Sequence, residues 1–335
     1  MDERKIGTDV NQVQITSLSH IQGQQPQVQE LLRMSIDSYF RNRANNPNTN
    51  FGPVILLGPP GVGKSITARA IHYELANLKL VESNGEMLSS VPELMSVLLT
   101  ATNDTSIFID ECQALGTKSQ HVLLTAVSEK KLYLPQGKTG RGQREIPLAN
   151  FTLILASTHE FMLQAALVNR ARILCRLDYL SIHCLEQIVR QRANALGWHY
   201  ENDQVLTEIS RRAKGTPRLA INRNLQTAWN VCVSHDREVI TMEDVEEAFR
   251  LLQINFYGLD PLDQAYLREL AKHGSMKLNV ISSILGVPRQ SITGIESFLL
   301  RSGLIMKDGS ERVITEKGRN HISQGTHPQG ELSNG

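Results

Sequence analysis

Val54-Ile-Leu-Leu-Gly58-Pro59-Pro60-Gly61-Val62-Gly63-Lys64-Ser65-Ile66 decides how the rest of the chain is read. Four consecutive apolar residues mark a strand buried on both faces, as parallel sheets bury theirs. Gly58 to Ser65 then fits the spacing Gly-x-x-x-x-Gly-Lys-Ser/Thr, and helical periodicity follows as far as Ala76. A strand before and a helix after are the context this loop needs. Its glycines let the backbone curl until several N–H groups face one point, and the helix N-terminus adds positive potential there. The pattern predicts a nucleoside triphosphate cradle over residues 58–66, with Lys64 neutralising β/γ-phosphate charge and Ser65 ligating Mg²⁺. A glycine-rich turn with an incidental lysine fits the letters but not the flanking elements.

Ile107-Phe-Ile-Asp110-Glu111 is a second apolar run, and it ends in two acids. Open α/β sheets bind ligands at the carboxyl ends of their strands. Asp110 is therefore expected in the Mg²⁺ shell, and Glu111 is expected to orient and deprotonate an attacking water. Helical patterns at Val91–Ala101 and Gln120–Glu129 alternate with strand patterns at Leu78–Glu82 and Thr152–Ala156. The alternation predicts a doubly wound parallel α/β sheet. Gln27–Arg43 precedes it as a helix with Val28, Leu31, Leu32, Ile36 and Phe40 on one face. Leu132 to Leu148, two short extended arms around Gly137-Lys-Thr-Gly-Arg-Gly, predicts a β-hairpin carried on the α/β body. A small-GTPase reading fares worse, since no guanine-reading Asn-Lys-x-Asp occurs.

At 335 residues, and with roughly 150 per domain, two or three domains are expected. Hydrophobic residues are 41% and charged residues 21%, which excludes a disordered chain. The net charge of +1 excludes a generally basic protein that coats nucleic acid, so any such site is a local patch. No apolar run reaches the roughly 18 residues of a membrane span, and the polar first residues predict no secretory leader. The cysteines at 112, 175, 184 and 232 form no Cys-x-x-Cys pair; reduced thiols and a cytoplasmic location are expected. Helices at 183–196, 203–213, 217–234 and 242–253, without strand signals, predict a small all-helical domain. Thr241 caps the last of these, with acids at 243 and 244 in its first turn. Helices at 261–272, 277–285 and 289–302, then a hairpin around Asp308-Gly309, outline a winged helix.

The phosphate loop, the Asp110-Glu111 strand, a third strand ending Ala156-Ser-Thr158 and a helical lid with Gly215-Thr-Pro-Arg218 together resemble an AAA+ ATPase. Asn222-Arg223 behind that last run, the hairpin before the third strand, and Gly258-Leu-Asp-x-Leu-Asp263 opening the winged helix are more specific. With them the chain resembles the RuvB family from about Ile21 to Ile322. The resemblance implies a hexameric ring that hydrolyses ATP with Mg²⁺ and drives branch migration of four-way (Holliday) DNA junctions in recombination and repair. It also implies a RuvA-like junction-binding partner. The domain plan is a flexible N-terminus over 1–20, an AAA+ α/β domain over 21–180 and a helical lid over 181–256. A winged-helix DNA-binding domain over 257–322 and a disordered tail over 323–335 complete it.

Carried over by resemblance, Ile21-Gln-Gly-Gln24 matches the segment that packs on adenine, and Thr158 the polar sensor near the γ-phosphate. Arg218 matches the lid arginine that contacts the phosphates, with Pro217 presetting φ at the helix start. Arg170 matches the arginine finger that reaches a neighbouring subunit's nucleotide; Arg172 is the second candidate. Lys307 and Arg312 match wing residues that meet the DNA backbone, and the segment from Tyr257 to Ile322 has nine Lys and Arg against seven acids. The chain departs from the family at Cys112-Gln113, where Ile-His is usual, and in the hairpin, where Leu132-Tyr-Leu134 supplies apolar surface but Pro135, Lys138, Arg141 and Arg144 make the distal part basic. Cys112 reads as a small core residue. An AAA+ loader or remodeller of a DNA-bound protein complex would keep the same ATPase residues but normally ends in a helical collar. A nucleotide-switched regulator without turnover is disfavoured by the intact Lys64, Asp110, Glu111, Thr158 and Arg218.

Overall fold

A computed structural model of the chain describes residues 7–23, 26–135 and 143–323, and they form two compact units. The expected disordered tail beyond Ser323, the hairpin tip with Lys138 and Arg141, and Gln24 lie outside the described residues. One unit runs from Asn11 to Ile188 and takes in Gly215–Arg218; the other holds, among the described residues, those numbered 7–10, 189–214 and 219–323. No described helix is long and apolar enough to cross a membrane.

The first unit runs α1 (Pro26–Asn45), β1 (Val54–Leu57), α2 (Lys64–Glu74), β2 (Lys79–Asn84), α3 (Val91–Leu99), β3 (Thr105–Asp110) and α4 (Thr117–Glu129). A hairpin of β4 (Lys131–Pro135) and β5 (Gln143–Pro147) follows, then β6 (Thr152–Ser157), α5 (Ala165–Val168) and β7 (Ile173–Arg176). Five parallel strands form one sheet in the order β2-β3-β6-β1-β7. Along β1, Val54 and Leu56 pack with Leu32, Ala68 and Ile71, while Ile55 and Leu57 pack with Leu94, Leu98 and Leu123 on the other face. A strand covered on both sides has no place for a polar side chain, which is why this run is wholly apolar. Ser90 starts α3 with a capping box to Glu93.

Three expectations for this unit change. The buried stripe of α1 is Val28, Leu32, Ile36 and Tyr39, and Phe40 is 42% exposed. Tyr39 meets the Phe51 ring edge-on at 5.5 Å, and its hydroxyl accepts from Arg43 at 2.7 Å. Burial of its ring therefore leaves no polar tip unpaired. Within the stretch expected to be flexible through residue 20, Leu18 is buried. It is in the core, and Ser17 Oγ and the Leu18 N–H donate to Glu74 of α2 at 2.6 and 3.0 Å. Leu132, expected on the apolar surface of the hairpin, is 1% exposed and packs with the α3–α4 core. Strand alternation then turns Lys131 and Tyr133 to the opposite face, where they pair with Glu145 and Glu129, each at 2.5 Å.

The second unit is entered through α6 (Ile182–Leu196) and continues with β8 (His199–Tyr200), α7 (Asp203–Arg211), a π-helical turn at Leu219–Leu225, α8 (Gln226–Ser234), β9 (Val239–Ile240) and α9 (Met242–Leu251). β8 and β9 pair in parallel, so the helical segment is not free of strands as expected. Trp198 stacks on Trp229 with ring centroids 4.6 Å apart, and Trp198 Nε1 donates to the Gly7 carbonyl at 2.6 Å. Then come α10 (Pro261–His273), β10 (Ser275–Lys277), α11 (Leu278–Leu285), α12 (Arg289–Arg301), β11 (Ile305–Asp308), β12 (Glu311–Ile314) and α13 (Glu316–Ser323). Beyond the expected three helices and hairpin, β10 adds a third strand to the wing and α13 follows it. The Gly258-Leu-Asp-x-Leu-Asp263 run has a physical reason: Asp260 and Asp263 form the capping box of α10, and Lys214 bonds to both.

Candidate nucleotide site and nucleic-acid surface

The chain leaves β1 at Leu57 and turns through residues 58–63 before α2 begins at Lys64. Gly58 has φ +151°, and a Cβ there would lie 2.3 Å from the Leu177 carbonyl oxygen, so only glycine fits. The Val62 side chain is buried in the core, which leaves its backbone alone to face a ligand. Pro59 is half-buried, Pro60 is exposed and Ile66 lies half-buried in the first turn of α2. Lys64 is 5% exposed, and its Nζ donates to the carbonyls of Gly58 at 2.8 Å and Pro59 at 2.9 Å. Burial holds its ammonium below the usual lysine range, opposed by Glu111 and Asp110 and reinforced by Arg218. A cation already stripped of much of its water attracts an anion more strongly than a solvated one does.

Ser65 Oγ donates to Asp110 Oδ2 at 2.8 Å, and Asp110 Oδ1 accepts from the Glu111 N–H at 2.9 Å. A hydroxyl and a carboxylate side by side are hard oxygen donors of the kind Mg²⁺ takes. This donor set and the glycine cradle beside it fit a magnesium–triphosphate group. Glu111 sits in the left-handed region at φ 45°, ψ 44°, just past the end of β3. Thr158, just past β6, donates from Oγ1 to Glu111 Oε2 at 2.8 Å. Within the same unit, the Arg218 N–H donates to the Gly61 carbonyl at 3.3 Å, and its side chain is exposed. The structure thus brings Lys64, Ser65, Asp110, Glu111, Thr158 and Arg218 together. Ile21 packs against the hydrophobic cluster that holds Val62, and its carbonyl accepts from Gln29 at 2.6 Å.

Arg170 stands apart from this group. It is exposed in the turn after α5, and its guanidinium has no hydrogen bond among the described residues. Arg172 instead donates to the Asn50 carbonyl at 3.3 Å. Cys112 is fully buried, and burial first, then Glu111 and Asp110, push its thiol up to about 12, so it is an inert core residue. Gln113 stands where the family usually has a histidine. It bonds to Glu111, Ser157 and Thr158 at once, and the sole signal was its spacing of two residues from the acid.

On the wing the two expected cations part company. Lys307 is exposed on β11. Arg312 is held inside the domain: its Nε and Nη2 pair with the Glu296 carboxylate at 2.8 and 3.1 Å, and Glu296 also accepts from the Tyr266 hydroxyl at 2.7 Å. Tyr266 is fully buried and Glu296 is 3% exposed, so the bidentate arginine is needed to neutralise a charge inside the domain. Lys307 and Arg312 are cross-strand partners on β11 and β12, yet only Arg312 reaches a carboxylate on α12.

A five-stranded parallel sheet with a phosphate loop after β1, paired acids at the end of β3 and a threonine after β6 that bonds to the second acid defines a P-loop ATPase of the AAA+ class. Residues 13–177 match the Holliday junction DNA helicase RuvB P-loop domain, 180–255 the RuvB AAA lid domain and 256–323 the RuvB C-terminal winged helix domain. The chain belongs to the RuvB family. It is 31% identical over 315 residues to a Holliday junction branch migration complex subunit RuvB of Bifidobacterium longum, spanning 92% of this chain and 86% of that one. The same identity holds over 312 residues with the subunit of Neorickettsia sennetsu, spanning 92% of both. A solved structure described as the Thermotoga maritima RuvB Holliday junction branch migration motor superposes with a TM-score of 0.78 at 25% identity, over 92% of this chain and 97% of that one.

Proposed function

We propose that this chain is an ATP-driven DNA motor that moves four-way junctions by branch migration in recombination and repair. The observation that carries the reading is the cluster of Lys64, Ser65, Asp110, Glu111, Thr158 and Arg218 at the carboxyl edge of one parallel sheet. Bound Mg²⁺, held by Ser65 and Asp110, would supply charge stabilisation to the phosphate oxygens. Lys64 neutralises β/γ-phosphate charge, and Arg218, beside Gly61 of the loop, supplies a second cation. Glu111 accepts a proton from the attacking water through Oε1, which has no hydrogen bond among the described residues, while Thr158 holds Oε2.

Arg170 is too isolated to serve this site and is assigned to the nucleotide of the next subunit. An arginine finger in trans is worth roughly 10³–10⁵ in rate, so each site works beside a neighbouring copy; a closed ring of six, as the family resemblance implies, is the assembly we propose. Lys307 neutralises a DNA phosphate without reading sequence, as a translocating motor requires. Tyr133 and Leu134, half-exposed on the hairpin, are the apolar groups a RuvA-type partner would meet. The site of action is the cytoplasm. ATPase rates with a four-way junction, with duplex and without DNA, measured beside the mass in solution, test the reading. Stimulation by the junction in a hexamer is expected; a monomer that ignores DNA refutes it.

A further inference from the structure

We propose that Gln113 is a positioning residue for hydrolysis: with Thr158 it clamps one oxygen of the Glu111 carboxylate and leaves the other free for the water. The proposal rests on the reading of Glu111 as the general base. Gln113 lies in the short 3₁₀ turn Cys112–Ala114 directly after Glu111. Its Nε2 donates to Glu111 Oε2 and, at 3.1 Å, to Thr158 Oγ1. Its Oε1 accepts from Ser157 Oγ at 2.7 Å.

The orientation of the amide follows from the network. The Glu111 carboxylate can only accept, so Gln113 Oε1 turns away from it and takes the Ser157 Oγ proton, while Ser157 Oγ accepts from the His159 N–H at 3.0 Å. The amide nitrogen must then face the carboxylate. Ser157 is fully buried at the end of β6, so the anchor of the clamp belongs to the sheet rather than to a loop. Thr158 Oγ1 donates to the same Oε2 at 2.8 Å. Two donors on one oxygen fix the carboxylate plane.

The backbone is fixed as well. Glu111 is held in the left-handed region, and Gly85 leaves room for its carbonyl, where a Cβ would come within 2.4 Å. The clamp also has something to prevent. Glu111 is the carboxylate that acts most strongly on Lys64. A carboxylate free to turn would pair with that ammonium, and both groups would be withdrawn from the reaction. Two donors on Oε2 hold it off and keep the charge-assisted geometry ready before nucleotide arrives.

The test uses the full chain, with ATP turnover and ATP affinity measured separately. Gln113→Leu removes both the donor and the acceptor at similar bulk. Its kcat is expected to fall roughly ten- to a hundredfold, with affinity within about twofold, because the lost contact acts on the reacting group and not on bound ATP. Gln113→Glu keeps an acceptor for the Ser157 hydroxyl but sets a like charge against Glu111. It is expected to fold, bind ATP and turn over more slowly still. If Gln113→Leu does not fold, Gln113→Glu decides alone. Wild-type kcat in a folded variant overturns the proposal, and so does a fall in kcat matched by an equal loss of affinity. Glu111→Gln is run in parallel: if it hydrolyses ATP at the wild-type rate, the base is elsewhere and the proposal falls with it. If Glu111→Gln is dead and the Gln113 variants are fully active, only the clamp fails.

Discussion

Arg312→Ala separates a phosphate contact from an internal prop. In the structure its guanidinium meets both oxygens of Glu296, at 2.8 and 3.1 Å, and Glu296 is 3% exposed. Removing one partner of a buried pair leaves an uncompensated charge and costs about 3–5 kcal/mol. At about 1.4 kcal/mol per factor of ten, amide protection in α10 and α12 should fall by at least 10²-fold, read peptide by peptide in hydrogen exchange of the whole chain. Tyr266→Phe should cost less, about 1–3 kcal/mol, because Arg312 still neutralises the carboxylate. The Tyr266 phenol, pushed above its usual range by burial and by Glu296, stays protonated and remains a donor. Replacing all three together, Arg312→Met, Glu296→Leu and Tyr266→Phe, removes every polar member at once and should restore most of the loss. The counter-test is the salt dependence of junction binding. Lys307→Ala should make the slope of log K against log salt shallower by about 1; Arg312→Ala, below its melting point, should leave it unchanged. Full protection in Arg312→Ala together with a slope shallower by about 1 would refute the internal role and return Arg312 to the DNA.

Lys64→Met should lose ATP binding yet melt higher than the nucleotide-free parent. Its pKa is depressed by burial, so the charged form costs stability in the folded state; the cost is full below the depressed pKa and is relieved as pH rises through it toward 10.5. A lower melting point at pH 7 would contradict this, and unchanged ATP affinity would sink the site assignment. Arg170→Ala should bind ATP normally and barely hydrolyse it, and mixing it with Lys64→Ala should restore part of the activity. Mixed rings that stay inactive would move the finger to Arg172 or remove it. Of the four cysteines, Cys184 alone is partly exposed and the others are buried, with burial pushing Cys175 up to about 11. A thiol reagent at pH 8 should therefore modify one cysteine quickly in the native protein; fast reaction of Cys112 would show that the site opens.

Much of this protein could be read from its letters because the physics is local. An apolar run, a glycine-rich turn and a helix must follow one another in sequence for the phosphate loop to exist, so Gly58 to Ser65 announces itself. The acids at the end of β3 and the order of strands and helices are of the same kind. Three-dimensional packing decided the rest. Tyr39 rather than Phe40 enters the core because Phe51 and Arg43, distant or one turn away, receive its ring and hydroxyl. Leu132 is core because the hairpin's inner face rests on the sheet's helices. Arg312 and Lys307 look alike in sequence, yet one faces Glu296 across the domain and the other faces solvent. The same holds for Gln113, whose three partners come from the ends of two strands that meet only in the folded sheet. Sequence fixes which chemistry a residue can perform; which neighbour uses that chemistry depends on residues brought close by folding, whose separation along the chain carries no local pattern.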